Sequence, residues 1–116
     1  MRRIYHLSTC STNKRILSQI NTNGVELINI KSQHISEEDL DFMYKHTGSY
    51  EALFNKKAQK YKAMPASEKP VKDEDYKGLI LSDYTFLKRP AAILDDQVIA
   101  GSTPESVNKL IQILKA

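Results

Sequence analysis

The sequence has no tryptophan and a single cysteine, Cys10, in 116 residues. One cysteine closes no internal disulfide, which excludes the small secreted scaffolds that replace a core with crosslinks. Glycine and proline number four each. That is too few for a fibrous or low-complexity chain, and no internal repeat is present. No apolar run approaches the roughly 20 residues that a membrane span needs. Behind Arg2 and Arg3, the polar residues His6, Ser8, Thr9 and Ser11 interrupt the apolar ones, so the start does not read as a signal peptide. There is no glycine-rich phosphate loop. His6, His34 and His46 show no metal-ligand spacing with Cys10, so no metal is expected. Charge of one sign is not in large excess either: 17 Lys and Arg face 14 Asp and Glu, a net +3. Direct nucleic-acid binding needs a clustered basic face rather than a small surplus. Lys56, Lys57, Lys60 and Lys62 do cluster, and read first as a solvated helix face. The expectation is a soluble, cytoplasmic protein without a membrane segment.

What the sequence does contain is the patterning of one α/β domain over residues 1–116, with a hydrophobic share of 41%. Residues 4–7 read as a short buried strand that Ser8-Thr9 ends. From Thr12 the period changes, and Ile16, Leu17 and Ile20 form the apolar stripe of a helix that Asn23-Gly24 would close. Residues 25–30 follow as a second strand, apolar enough on both faces to be covered. Strand, helix and strand with short loops make a βαβ unit, whose strands lie parallel. The middle of the chain is polar and helical. Ser36-Glu37-Glu38-Asp39 resembles a capping box, and Gly48 ends that helix. Ser49 opens a second helix carrying Tyr50, Leu53, Phe54 and Tyr61, residues 63–70 form a loop, and residues 73–84 form a third helix. Ala91–Leu94 and Gln97–Ala100 then flank Asp95-Asp96 as a hairpin. Thr103-Pro104-Glu105 starts a terminal amphipathic helix with Val107, Leu110, Ile111 and Leu114. The order βαβ, helices, ββα is a thioredoxin-like arrangement: a central four-stranded mixed sheet with a helical insert at about residues 36–84, between strands two and three.

Cys10 stands where the first strand turns into the first helix, at the carboxyl end of the sheet, where open α/β folds place their chemistry. A thiol there faces the free N–H groups and positive end of the helix, which favour thiolate over thiol. Lys14 and Arg15 add positive charge one turn in, and Ser11, Thr12 and Asn13 supply amides and polar side chains suited to an oxyanion. The competing role for Cys10 is that of a small buried apolar residue. Asn13 occupies the place of the second thiol in a Cys-x-x-Cys pair, and Arg15 comes one residue early for a Cys-x5-Arg phosphatase loop. A lone thiolate still attacks an oxidised substrate, but an outside thiol must then release it through a mixed disulfide. Arg89, just before the third strand, is the candidate anion clamp, with a plain surface cation as the alternative. His6, four residues before Cys10, either polarises the thiol or packs. The acidic runs Glu37-Glu38-Asp39 and Asp73-Glu74-Asp75 are explained by the helix starts they sit in.

These residues resemble the arsenate reductase-like (ArsC) branch of the thioredoxin-like fold, which also holds the Spx-like transcription regulators. Ile4-Tyr5-His6-x3-Cys10 is similar to the family's opening strand and catalytic cysteine, Leu87-Lys88-Arg89-Pro90 to its Arg-Pro segment, and Gly101 with the terminal helix to its end. The resemblance implies a cis peptide at Pro90 and a nucleophilic Cys10 regenerated by glutathione and glutaredoxin, with no resident cofactor. It also implies three arginines on the oxyanion. Of these only Arg89 is present; the others fall on Asn55 and near Gly101, and the arginine of the cysteine loop becomes Lys14, which lacks the bidentate fork. Arsenate itself is therefore not the expected substrate. Phe54-Asn55-Lys56-Lys57 instead resembles a sister group of small reductase-like proteins with Leu-Asn-x-Arg there, which implies glutathione-dependent thiol reduction. The alternative is a non-catalytic Spx-like regulator that binds RNA polymerase or another protein through the basic insert.

Overall fold

The computed structural model describes residues 1–115. Strand β1 (Arg2–His6) carries Ile4 and Tyr5 side by side, and because neighbouring strand residues face opposite ways, both faces of the strand are buried. Such a strand belongs in the middle of a sheet. It pairs in parallel with β2 (Glu26–Asn29) and antiparallel with β3 (Ala91–Leu94), and β3 pairs antiparallel with β4 (Gln97–Ala100). The order is β2-β1-β3-β4, the expected mixed sheet. One core forms where Ile4, Ala92, Leu94 and Ile99 meet Ile16 from the first helix, α1 (Ser11–Ser18), Ile20 just past its end, and Leu110 and Leu114 from the last, α5 (Pro104–Ile113) and its cap. The hairpin turns at Asp95 (φ 60) with Leu94 opposite Gln97. Thr103 caps α5 by accepting from the Ser106 N–H at 3.2 Å.

Two expectations in this part of the chain are corrected. Helix α1 stops at Gln19, and Gly24 does not cap it. The Asn21 N–H donates to the Leu114 carbonyl at 2.9 Å, drawing the chain off the helical path, and Gly24 (φ 75) sits instead in a turn closed by Val25 N–H to Thr22 C=O at 3.0 Å. Strand β2 is not covered on both faces either. Leu27 lies opposite Ile4, yet β2 is an edge strand and Leu27 stays 42% exposed.

Two compact units are formed, one by Met1–Gln33 with the chain from Arg89 on, the other by His34–Lys88. In the second unit, α2 (Glu37–Thr47) begins as expected, the Ser36 hydroxyl accepting from Asp39 N–H at 3.1 Å, and ends at Gly48 (φ 75). The helix expected from Ser49 to Tyr61 does not form. Asp73 Oδ1 accepts from the N–H groups of Tyr50 (2.9 Å) and Glu51 (3.1 Å), fixing a single 3-10 turn at Glu51–Leu53. Phe54 is then extended, bridges Leu87, meets Tyr61 and Tyr76 edge-on at 5.2 and 5.1 Å, and stacks on Phe86 at 5.3 Å. Within the expected span, α-helix forms only at its end, where α3 (Gln59–Lys62) begins. Helix α4 (Asp73–Ser82) ends before Tyr84, because Asp83 turns extended and accepts from the N–H and hydroxyl of Thr85 at 2.9 and 2.8 Å, opening a 3-10 turn at Tyr84–Phe86. Within the residues expected as a loop, Ala66–Glu68 forms another such turn.

Candidate active site

Four residues after β1 ends, Cys10 is the N-cap of α1, with extended backbone (φ −87, ψ 117). Its carbonyl accepts from Lys14 N–H at 3.0 Å, the first bond of the helix, and its own N–H donates to Leu7 C=O at 3.0 Å. The amides of Ser11, Thr12 and Asn13 therefore form the open first turn, with no helical carbonyl to bond. The Cys10 side chain makes no capping bond, and its free thiol is half-buried. No acidic residue lies in the first turn of α1. Lys14 and Arg15 are exposed, Ser11 is exposed and Thr12 half-buried. Cys10 thus stands at a positive helix end whose first turn holds no opposing carboxylate.

Asn13 behaves differently from its neighbours in the loop. It is only 2% exposed, and its Oδ1 accepts from the Leu7 N–H at 2.9 Å. Its side chain is tied to the strand end from which the cysteine loop departs. His6 closes β1 and is half-buried, with Nδ1 buried and unpartnered; burial lowers its pKa from the usual 6.5, so the ring is neutral at pH 7. Its carbonyl accepts from Ile30 N–H at 2.7 Å.

The Arg89–Pro90 peptide is cis, Pro90 is buried, and the Pro90 carbonyl accepts from Gly101 N–H at 2.9 Å. Tyr5 pairs with Ala91 across the antiparallel β1–β3 ladder, so Arg89 and Pro90 enter the sheet at the end where β1 leaves it toward Cys10. The topology brings Cys10, its loop, His6 and Arg89-Pro90 to one end of the sheet.

Asn55 belongs to the other unit, and its polar groups are engaged locally. Its N–H donates to Phe86 C=O (2.7 Å), its Nδ2 to Thr85 C=O (3.2 Å), and its Oδ1 accepts from Lys57 N–H (3.1 Å). In the lysine cluster, Lys56 pairs with Glu51 and Lys60 with Asp83. His46 Nδ1 lies 3.0 Å from the Phe42 carbonyl and His34 is near the Tyr84 ring. Among the described residues no group of histidine, cysteine and carboxylate side chains could hold a metal, and no helix is long and apolar enough to cross a membrane.

One contributor escaped the sequence reading. Asn29, the last residue of β2, turns its Oδ1 toward the N–H groups of Ser8 and Lys31, both at 3.4 Å. Its only signal in sequence is an Asn at the end of an apolar strand, where side-chain oxygens commonly bond turn amides.

Residues 5–110 match the ArsC family. The chain belongs to that family. The matched span runs from β1 to the terminal helix of this ArsC chain. Among solved structures it is similar to an arsenate reductase from Vibrio cholerae (22% identity, TM-score 0.75, 94% of this chain and 96% of that one). It is also similar to an arsenate reductase (ArsC) related protein from Brucella melitensis (21%, 0.69, 96% and 94%) and to the YFFB protein (16%, 0.77, 95% and 98%). At these identities the likeness establishes a shared thioredoxin-like ArsC fold. No curated protein matches the sequence.

Proposed function

We propose that this ArsC-family chain is a cysteine-dependent reductase in which Cys10 Sγ is the nucleophile and glutathione, or another small thiol, is the co-substrate. The observation that carries the reading is the seat of Cys10: an uncapped thiol at the N-terminus of α1, with Lys14 and Arg15 following and no acidic residue in the first turn. The arsenate reductases among similar structures support a thiol-dependent reductase role.

For a disulfide substrate the chemistry balances with two external thiols. The Cys10 thiolate attacks one sulfur, the S–S bond breaks, and the other half leaves as a thiolate that takes a proton. A glutathione thiolate then attacks the mixed disulfide and expels Cys10 as thiolate, and a second glutathione completes the exchange, which glutaredoxin accelerates. The net change is reduction of one substrate disulfide and oxidation of two glutathiones to glutathione disulfide. An oxyanion substrate would meet the same nucleophile. The open amides of Ser11, Thr12 and Asn13 receive the anion, and Arg89 holds it or a glutathione carboxylate. Pro90 shapes that wall of the site, while the neutral His6 ring lies at the end of the strand leading to the thiol. Arsenate is not the substrate we favour, because Lys14, Asn55 and Gly101 stand where the resemblance calls for arginines. The reading places the protein in the cytoplasm, where reduced thiols are available. The regulator alternative, with RNA polymerase as partner, is less well supported, since Glu51 and Asp83 partly neutralise the basic cluster.

Alkylation tests the reading. Iodoacetamide at pH 6–7 is expected to label the folded chain much faster than free cysteine, and Cys10→Ser should abolish labelling. A rate no faster than that of free cysteine would overturn it.

A further inference from the structure

The loop between β1 and Cys10 contains no regular structure, yet two carboxamides from different elements hold it. Asn13, on the first turn of α1, accepts from the Leu7 N–H at 2.9 Å, and Asn29, at the end of β2, lies 3.4 Å from the Ser8 N–H. Only the oxygen of a carboxamide accepts from an N–H, so these donors fix which way each amide points. Cys10 adds a third tie through its own N–H to the Leu7 carbonyl at 3.0 Å. Leu7 is thus bonded through both of its backbone groups: its N–H donates to the Asn13 side chain and its C=O accepts from the Cys10 N–H. All these residues lie in the same compact unit.

We propose that Asn13 and Asn29 are positioning residues that hold Cys10 Sγ at the N-terminus of α1, and that the Asn13 side chain works through the Leu7 N–H while its backbone amide stays open to the anion. The inference rests on the reductase reading of Cys10. Its physical basis is range. The favourable field of a helix end falls off within one turn, so a sulfur that swings away leaves that field. Asn13 sits three residues inside the helix whose end it serves, and its buried side chain reaches back to the strand. It thereby ties the end of β1 to the start of α1 across the bend that carries the thiol. Asn29 does the same from the neighbouring strand through Ser8, with a longer and weaker bond.

The test uses the full chain with Asn13→Ala and, as the milder change, Asn29→Ala. Iodoacetamide alkylation of Cys10 is followed at pH 6.5 and pH 9.5, alongside thermal unfolding and amide exchange of Leu7 and Ser8 by NMR. A merely structural loss lowers the melting temperature and leaves the ratio of the two alkylation rates unchanged. The proposal expects the pH 6.5 rate to fall about two- to five-fold relative to the pH 9.5 rate, the scale of a lost helix-end interaction. Leu7 exchange should be protected in the parent and faster in Asn13→Ala, and Ser8 exchange faster in Asn29→Ala. If Asn13→Ala does not fold, Asn29→Ala decides by the same ratio. An unchanged ratio in a folded variant, or an unprotected Leu7 amide in the parent, overturns the proposal. A parent chain that alkylates no faster than free cysteine instead overturns the reductase reading, and the exchange data still report the clamp.

Discussion

His6 shows how a single residue acquires its state from where a strand ends. The last position of β1 buries its Nδ1 without a partner, and burial disfavours the imidazolium, so its pKa lies below 6.5. An NMR titration of the His6 ring should give a midpoint below 6.5; a midpoint above it would contradict the burial. The sign for stability follows. Between the lowered folded pKa and 6.5 the unfolded chain binds more protons than the folded one, so this group's contribution is full above 6.5 and is lost as pH falls through that window. His6→Gln should therefore flatten the fall in melting temperature between pH 7 and pH 5. The places of Cys10 at the start of α1 and His6 at the end of β1 were legible because each is marked locally, by a strand-to-helix switch and by spacing. The tasks of Asn13 and Asn29 were not, since a carboxamide takes its meaning from a donor that folding brings to it, here Leu7 and Ser8.

Among the elements, the short turns of the second unit hold its charge and aromatic chemistry. Burial works against the Asp83 carboxylate, but Lys60 and the N–H and hydroxyl of Thr85 outweigh it and bring its pKa to about 2. A lowered carboxyl pKa gives stability that is present above about 3.8 and lost as pH falls from there toward 2. Asp83→Asn should thus lower the melting temperature at pH 6 and narrow its difference from the parent at pH 2, as followed by circular dichroism. Tyr50 behaves oppositely. Burial, with a 2.6 Å bond to Asp41, raises its pKa to about 12, so the folded chain keeps a proton that the unfolded chain releases near 10. Stability should fall between pH 10 and 12, and less steeply in Tyr50→Phe. Phe54, 1% exposed among three aromatic rings, should cost about 3–5 kcal/mol in urea unfolding when changed to Ala. The spacing of Tyr50, Leu53, Phe54 and Tyr61 imitates a helix face. What replaces that helix is Asp73, distant in sequence, which takes the Tyr50 and Glu51 amides and is invisible to periodicity.

For the molecule as a whole, the sheet was the most legible part, because βαβ and ββα patterns permit few arrangements and Ile4-Tyr5 marks the central strand. What sequence patterning could not supply was the edge position of β2, which leaves Leu27 in solvent. The proposed chemistry of the whole molecule depends on one sulfur atom, that of Cys10. Its most direct test is intact mass spectrometry of the chain mixed with glutathione disulfide at pH 6.5, folded and in urea. The Cys10 thiolate should attack one sulfur, release one glutathione thiolate, and leave a single glutathione on Cys10. The account predicts that this adduct forms faster in the folded chain than in the unfolded one, is absent in Cys10→Ser, and is removed by glutaredoxin with glutathione. An adduct that forms no faster in the folded chain would contradict it.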